Sequence, residues 1–225
     1  MNPMIKLKTV VPDFKTAVIR SVVFVFLAML QCCASSAAEE SVENGDLLFV
    51  TAKETGLSGA INNVTQKQKT ASFDHIGIVE KVKHQSFVLH AAPKGGSQKQ
   101  PLADFMKDQA ADGQRVVVYR LKPQYRNTIP SAIQKAESMV GKPYNFNYIL
   151  NENSYYCSDF IERAFRKDHI FKLEPMSFKD PKTGTTNVFW EEFYRKKNLK
   201  VPEGEPGCNP NGLAGSDKLE RIREL

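Results

Sequence analysis

Two apolar runs, Phe73–Val82 and Ser86–Ala92, are separated by only Lys83, His84 and Gln85. Three residues cannot carry a crossover between parallel strands, which takes a dozen or more, so the runs must pair as an antiparallel hairpin. That constraint makes an antiparallel sheet the frame of the chain. Gly45–Val50 reads as a turn feeding a buried strand, and Gln114–Leu121 as a valine-rich strand that ends before Pro123. The pattern then turns helical, with Thr128 as N-cap, Pro130 in the first turn, and Ile133, Ala136 and Val140 on one face. Gly141 and Pro143 stop that helix. Cys157 opens another, whose apolar stripe is Phe160, Ile161, Ala164 and Phe165; Asp159, Glu162, Arg163 and Arg166 are expected to face outward. Short helices are predicted over Leu57–Val64 and Asn187–Arg195. Pro93–Ser97 reads as a loop, and from Pro202 the Gly/Pro/Asn-rich sequence reads as a tail wrapping the surface. The fold class is α+β, without internal repeats.

The N-terminus reads as a targeting segment. Lys6, Lys8, Lys15 and Arg20 form a basic region, Val22–Leu30 an apolar run too short to span a bilayer comfortably, and Ala34–Ala38 a small-residue cleavage zone. Cleavage after Ala38 is expected, so residues 1–38 are a signal peptide and the protein is exported, to the periplasm or beyond the cell. Cys32 or Cys33 offers lipid attachment as a second reading, and that anchor is the one membrane link expected. An uncleaved anchor is a third reading. Residues 39–225 are enough for a single domain with a proper core. The chain carries a net charge of +6; four of its 31 basic and one of its 25 acidic residues precede Glu39, leaving +3. So mild a charge, with no basic run alternating with aromatics, gives no footprint for nucleic acid. Oligomeric state is not legible.

His75 and His90 each lie inside an apolar strand. Alternate strand residues share a face, so His75 goes with Gly77 and Val79, while Asp74, Ile76, Ile78 and Glu80 take the other side. His90 goes with Val88 and Ala92. If the hairpin brings these faces together, the two histidines become cross-strand neighbours. A cysteine at a helix N-terminus meets unpaired N–H groups and the positive end of the helix dipole, which favour thiolate. Cys157, a base and an orienting group would together make an activated nucleophile. Each piece also has a plainer reading: Cys157 as a small core residue, the histidines as hydrogen-bonded core. Zinc on two histidines and a cysteine lacks the usual Cys-x-x-Cys or His-x-x-x-His spacing, so no metal or cofactor is expected. After Ala38 only Cys157 and Cys208 remain. Both are expected to be free, or bridged only as a resting state, with Cys208 an incidental loop thiol in Pro206–Pro210.

Val140-Gly141-Lys142-Pro143-Tyr144 followed by Tyr155-Tyr156-Cys157-Ser158-Asp159-Phe160-Ile161 resembles the nucleophile region of the NlpC-type, papain-like cysteine hydrolases. In that family a Gly-x-Pro-Tyr segment precedes an Asp-Cys-Ser-Gly-like helix start. Here both histidines precede the cysteine, an order that resembles the circularly permuted YiiX/YebB-like branch. Gly45–Phe49, Asp74–Val79 and Val88–Ala91 are similar to it as well, so the likeness runs from Gly45 to about Ala164. It implies a permuted papain-like fold, with an antiparallel sheet packed against the helix that carries the cysteine. It also implies a cysteine amidase or peptidase in which Cys157 attacks a carbonyl carbon, His75 is the base and His90 orients it. The backbone N–H of Cys157, with the Tyr144 hydroxyl or a donor at Tyr156, would meet the oxyanion. Tyr156 stands where the unpermuted family has aspartate, and Asp159 where permuted relatives often carry glutamate. Peptide, amide or acyl substrates follow from the resemblance, cell-wall peptides among them. Its cousins of the lecithin–retinol acyltransferase type keep acyl transfer, or lipid-amide hydrolysis, open. A catalytically silent ligand-binding module is the third possibility.

Overall fold

The computed structural model describes residues 39–54, 56–65 and 72–225, so the expected signal peptide, with Cys32 and Cys33, lies outside the described residues. Its elements are β1 (Leu47–Thr51), α1 (Gly56–Thr65), β2 (Phe73–Val82), β3 (Gln85–Ala92), β4 (Gly96–Pro101), α2 (Leu102–Ala111), β5 (Val116–Leu121), α3 (Ile129–Met139) and α4 (Cys157–Phe165). They continue with β6 (Glu174–Pro175), α5 (Val188–Arg195), β7 (Pro206–Gly207), α6 (Pro210–Ala214) and β8 (Leu219–Glu224). No helix among the described residues is long and apolar enough to cross a membrane.

Six strands form one antiparallel sheet in the order β4-β3-β2-β1-β5-β8. Apolar β1 lies in its interior, with Leu47–Val50 fully buried. The guanidinium of Arg120 on β5 grips the buried carboxylate of Asp46 with bonds of 2.6 and 2.8 Å, a charge-assisted fork at the entrance to β1. The outermost strands, β4 (GSQKQP) and β8 (LERIRE), are polar or charged, which blunts the sheet edges against pairing with other chains. Helices α3 and α4 cover one face. Ile76, Ile78, Leu89 and Ala91 from the hairpin share a core there with Ala136, Phe160, Ile161 and Phe165. The alternate residues of β2 project from the opposite face, where His75 and His90 meet Phe105 of α2.

Four expectations from sequence change. Pro93–Ser97 is not wholly loop: Gly96 begins β4, a polar edge strand with no apolar alternation to reveal it. Helix α2 was not expected, because Leu102 and Phe105 are its only fully buried residues. The chain after Pro202 does more than wrap the surface, since it supplies β7, α6 and the sixth sheet strand β8. Finally, Asp159, Glu162 and Arg163 of α4 are buried, not turned outward. They are tolerated because they answer one another: Arg163 bonds Asp159 at 2.7 Å and Glu152 at 2.6 Å, and Arg166 holds Glu162.

Candidate active site

Cys157 is the first residue of α4, and no side chain caps that helix N-terminus. The first-turn N–H groups of Cys157 and Ser158 therefore remain available, and both act on the sulfur together with the N–H of Ile76. Sγ lies 3.7 Å from the carbonyl oxygen of Asp74. Asp74 O and Ile76 N belong to the stretch of β2 beyond the last β2–β3 pair, Ile78 with Leu89. The sulfur thus sits at the mouth of the split between the two strands, against the backbone on either side of His75.

The imidazoles come together: His75 Nε2 and His90 Nδ1 are 2.8 Å apart. His90 Nε2 lies 3.2 Å from Gln100 Oε1, and Gln100 donates in turn to Asp108 on α2 at 2.7 Å. Gly77 makes the pairing possible, because a Cβ there would stand 2.4 Å from Val88 Cγ1 and 3.2 Å from His90 Cβ. The Phe105 ring stacks on His75 and presents its edge to His90, with centroids 6.1 and 5.2 Å away.

One expected contact is not made: neither ring is hydrogen-bonded to Cys157. The sulfur belongs to the α3/α4 face, in the core cluster with Ile76 and Ile78, and strand alternation sends His75 to the other side. The thiolate expectation also changes. Burial, reinforced by the Asp74 carboxylate, pushes the Cys157 thiol up to about 12, outweighing the helix N–H groups that pull it down. Burial likewise holds His75 well below the usual imidazole range, with His90 adding to it, and brings His90 down to about 4. Burial therefore favours the uncharged forms of the thiol and of both imidazoles.

A cavity of about 470 Å³ opens beside Cys157, with Asp74, Tyr144, Tyr148, Tyr156 and Ser158 in its wall. Tyr144 is positioned by the chain doubling back: Asn145 N donates to Tyr155 O at 3.0 Å and Tyr155 N to Pro143 O at 3.2 Å, laying the Gly-Lys-Pro-Tyr segment alongside the entry to α4. Burial raises the Tyr144 and Tyr148 hydroxyls, and the nearby charge of a Cys157 thiolate raises both further. Tyr156 differs. Its hydroxyl accepts from Cys208 N at 3.3 Å, while Ser158 Oγ donates to Cys208 O at 3.0 Å, so Cys208 is packed into the wall and is not an incidental loop thiol. Both Cys157 and Cys208 are free.

Sequence reasoning missed Asp74, and for Tyr148 it offered only a choice between lining an aromatic pocket and packing the core, shared with Phe146, Tyr155 and Tyr156. Tyr148 sits at φ +56°, a conformation rare for a bulky residue. The turn is held there by Asn145, which accepts from Asn147 N and donates to Ile149 O, and by Tyr194 Oη on Asn147 O. The Asn-x-Asn spacing of Asn145 and Asn147 was the available signal. Asp74 joins the cavity through Ser58 and Gln114, residues remote in sequence that both hydrogen-bond its carboxylate. His84 and His169 are exposed.

A cysteine at an uncapped helix N-terminus, packed on an antiparallel sheet with an imidazole pair supplied from upstream, defines a papain-like thiol hydrolase with permuted chain order. Residues 41–223 match the family described as "Permuted papain-like amidase enzyme, YaeF/YiiX, C92 family", and the chain belongs to it. Among solved structures it is similar to the metalloprotein yiiX from Escherichia coli O157:H7, with a TM-score of 0.66, 19% identity, and coverage of 82% of this chain and 98% of that one. No curated protein matches. The described residues hold no cluster that fits a metal ion. No three His, Cys, Asp or Glu side chains converge among them, and His75 Nε2 and His90 Nδ1 are turned onto each other.

Proposed function

We propose that the protein hydrolyses an amide bond through Cys157, His75 and His90 by way of a thioester. In this reading Sγ attacks the carbonyl carbon as its proton passes to His75. The tetrahedral intermediate expels the amine, which takes that proton back. Water then repeats the attack on the thioester, freeing the carboxylic acid and restoring the thiol. His90 holds the His75 ring, and the N–H groups of Cys157 and Ser158, with the Tyr144 hydroxyl, meet the oxyanion. At Tyr156 the donor in this reading is the backbone N–H at most, the hydroxyl lying against Cys208 N.

The observation that carries this is the sulfur touching backbone on both sides of His75 while His90 holds the ring. A rotation of His75 about χ1 toward the β2–β3 split is the movement the mechanism requires. Family membership supports the amidase class. The basic, apolar and small-residue order of residues 1–38 supports action outside the cytosol.

A second reading makes Asp74 the base. It is favoured by that carboxyl lining the same cavity as Cys157, while His75 projects elsewhere.

The test is intact-mass analysis after exposure to simple amides and activated acyl esters. Wild type is expected to gain one acyl mass at Cys157, and Cys157→Ala to gain none while losing about 10⁴-fold or more in turnover with an unchanged fold. Turnover by Cys157→Ala at the wild-type rate would sink the mechanism. His75→Ala separates the bases: lost acylation supports the triad, whereas retained acylation that Asp74→Asn removes supports the second reading.

A further inference from the structure

Beyond the sulfur, the cavity is walled by a second, separate core. Tyr148, Tyr156, Phe178 and Trp190 form it with Ile61, Val64 and Met176 packed against them. The rings interlock edge to face: Tyr148 meets Trp190 at 5.8 Å and Tyr156 at 5.4 Å, and Phe178 meets Trp190 at 5.2 Å. Of the charged groups in its wall, Asp74 lies beside the sulfur and Lys218 is half-buried, while Lys172, Glu174 and Asp217 are exposed. Behind the ring faces Trp190 Nε1 is buried without a hydrogen bond, and the Tyr148 hydroxyl lies against that of Tyr144. Trp190 is 2% exposed and Tyr148 8%.

A recess walled on one side by aromatic rings suits a largely apolar group. The fragment that stays near the sulfur through both half-reactions is the acyl group, because it remains covalently attached after the amine has left. A pocket opening directly onto Sγ therefore serves the acyl side.

We propose that this cavity is the acyl pocket, selective for an uncharged, apolar acyl group of medium chain or arylalkanoyl type seated against the Tyr148, Phe178 and Trp190 rings. The assignment rests on Cys157 being the nucleophile, and it sets the substrate apart from charged cell-wall peptides. Its aromatic walls suit a flexible methylene chain or a phenyl ring. A charged peptide stem would have to shed its hydration against them.

Trp190 is the only tryptophan of the chain, so its fluorescence reports occupancy directly. In Cys157→Ala, titration with octanamide and 3-phenylpropanamide should shift and quench that emission saturably. Glycinamide and D-alanyl-D-alanine should leave it unchanged at the same concentrations. In wild type, 4-nitrophenyl octanoate should acylate Cys157 about 100-fold faster in kcat/KM than the acetate. Equal rates for octanoate and acetate, with the adduct still on Cys157, would overturn the acyl pocket and leave the nucleophile standing. A response to D-alanyl-D-alanine but not to the apolar amides would overturn it in favour of peptides. If no ester acylates Cys157, the hydrolase reading fails, and the Cys157→Ala titration alone then decides the pocket.

Discussion

The two sides of strand β2 are built on opposite plans. From His75 and Gly77 the polar groups run in an unbroken chain: imidazole to imidazole, His90 to Gln100, Gln100 to the exposed carboxylate of Asp108, under the Phe105 ring. From Asp74 and Ile76 the opposite holds. The sulfur's hydrogen-bond partners are all backbone, and the space beside it is wide. In the proposed mechanism the base is therefore kept with its orienting partner, where packing is tight, and the nucleophile with the room for substrate. What separates them is one strand, and reactivity depends on coupling across it. A resting state of buried neutral groups follows from that division.

The largest expected effect breaks the histidine side by pH. In the folded protein His90 sits at about 4, against about 6.5 for a free imidazole. Between those values the unfolded chain binds more protons than the folded one, so stability rises with pH and is lost as pH falls through the window. The lost share amounts to up to about 3 kcal/mol, and His75, also depressed, adds to it in the same direction. Asp159, pushed up to about 6 by burial, works oppositely, since its charged form is the disfavoured one. The comparison with a variant is therefore the test. Urea midpoints measured from pH 7 to 4 should fall more steeply for wild type than for His90→Asn; equal slopes would contradict the account.

Next in size is Gly77→Ala. The added Cβ would overlap Val88 and crowd the His90 Cβ, so the strands must part where the imidazoles meet. A cost of about 1–3 kcal/mol is expected from urea unfolding, with altered imidazole ¹⁵N resonances for both histidines. Unchanged stability and unchanged resonances would mean that the close approach does not hold the pair.

The same contrast explains what was legible in the sequence. Strand alternation places His75, Gly77 and His90 on one face because the hairpin connection leaves little freedom of register. The Cys157 helix declares itself through Phe160, Ile161 and Phe165. The position of the sulfur relative to the rings was not legible, because it depends on where β2 and β3 separate and on how α4 lies across the sheet. The environment of the thiol was hidden for a related reason. Helix-end N–H groups can be counted from sequence, but burial and a carboxylate held by Ser58 and Gln114 are tertiary facts. Nor did Asp159, Glu162 and Arg163 announce their burial, since an ion network inside a helix interface has the same spelling as an exposed one.

The smallest effect probes the cysteine side. Asp74 raises the Cys157 thiol through its charge, and burial raises Asp74 itself above the usual carboxylate range. Asp74→Asn keeps the side-chain shape and removes that charge, so the thiol should fall and its thiolate fraction at a fixed pH should grow. Iodoacetamide labelling of Cys157 is expected to quicken by roughly three- to tenfold near pH 8, on the scale of a shift of up to about one pKa unit. The gain should shrink at lower pH, where the wild-type carboxyl is increasingly protonated and exerts less repulsion. Were Asp74 instead the base that accepts the thiol proton, the same substitution would slow labelling and remove turnover. The sign of this one change therefore tells whether the carboxyl beside the sulfur restrains it or activates it.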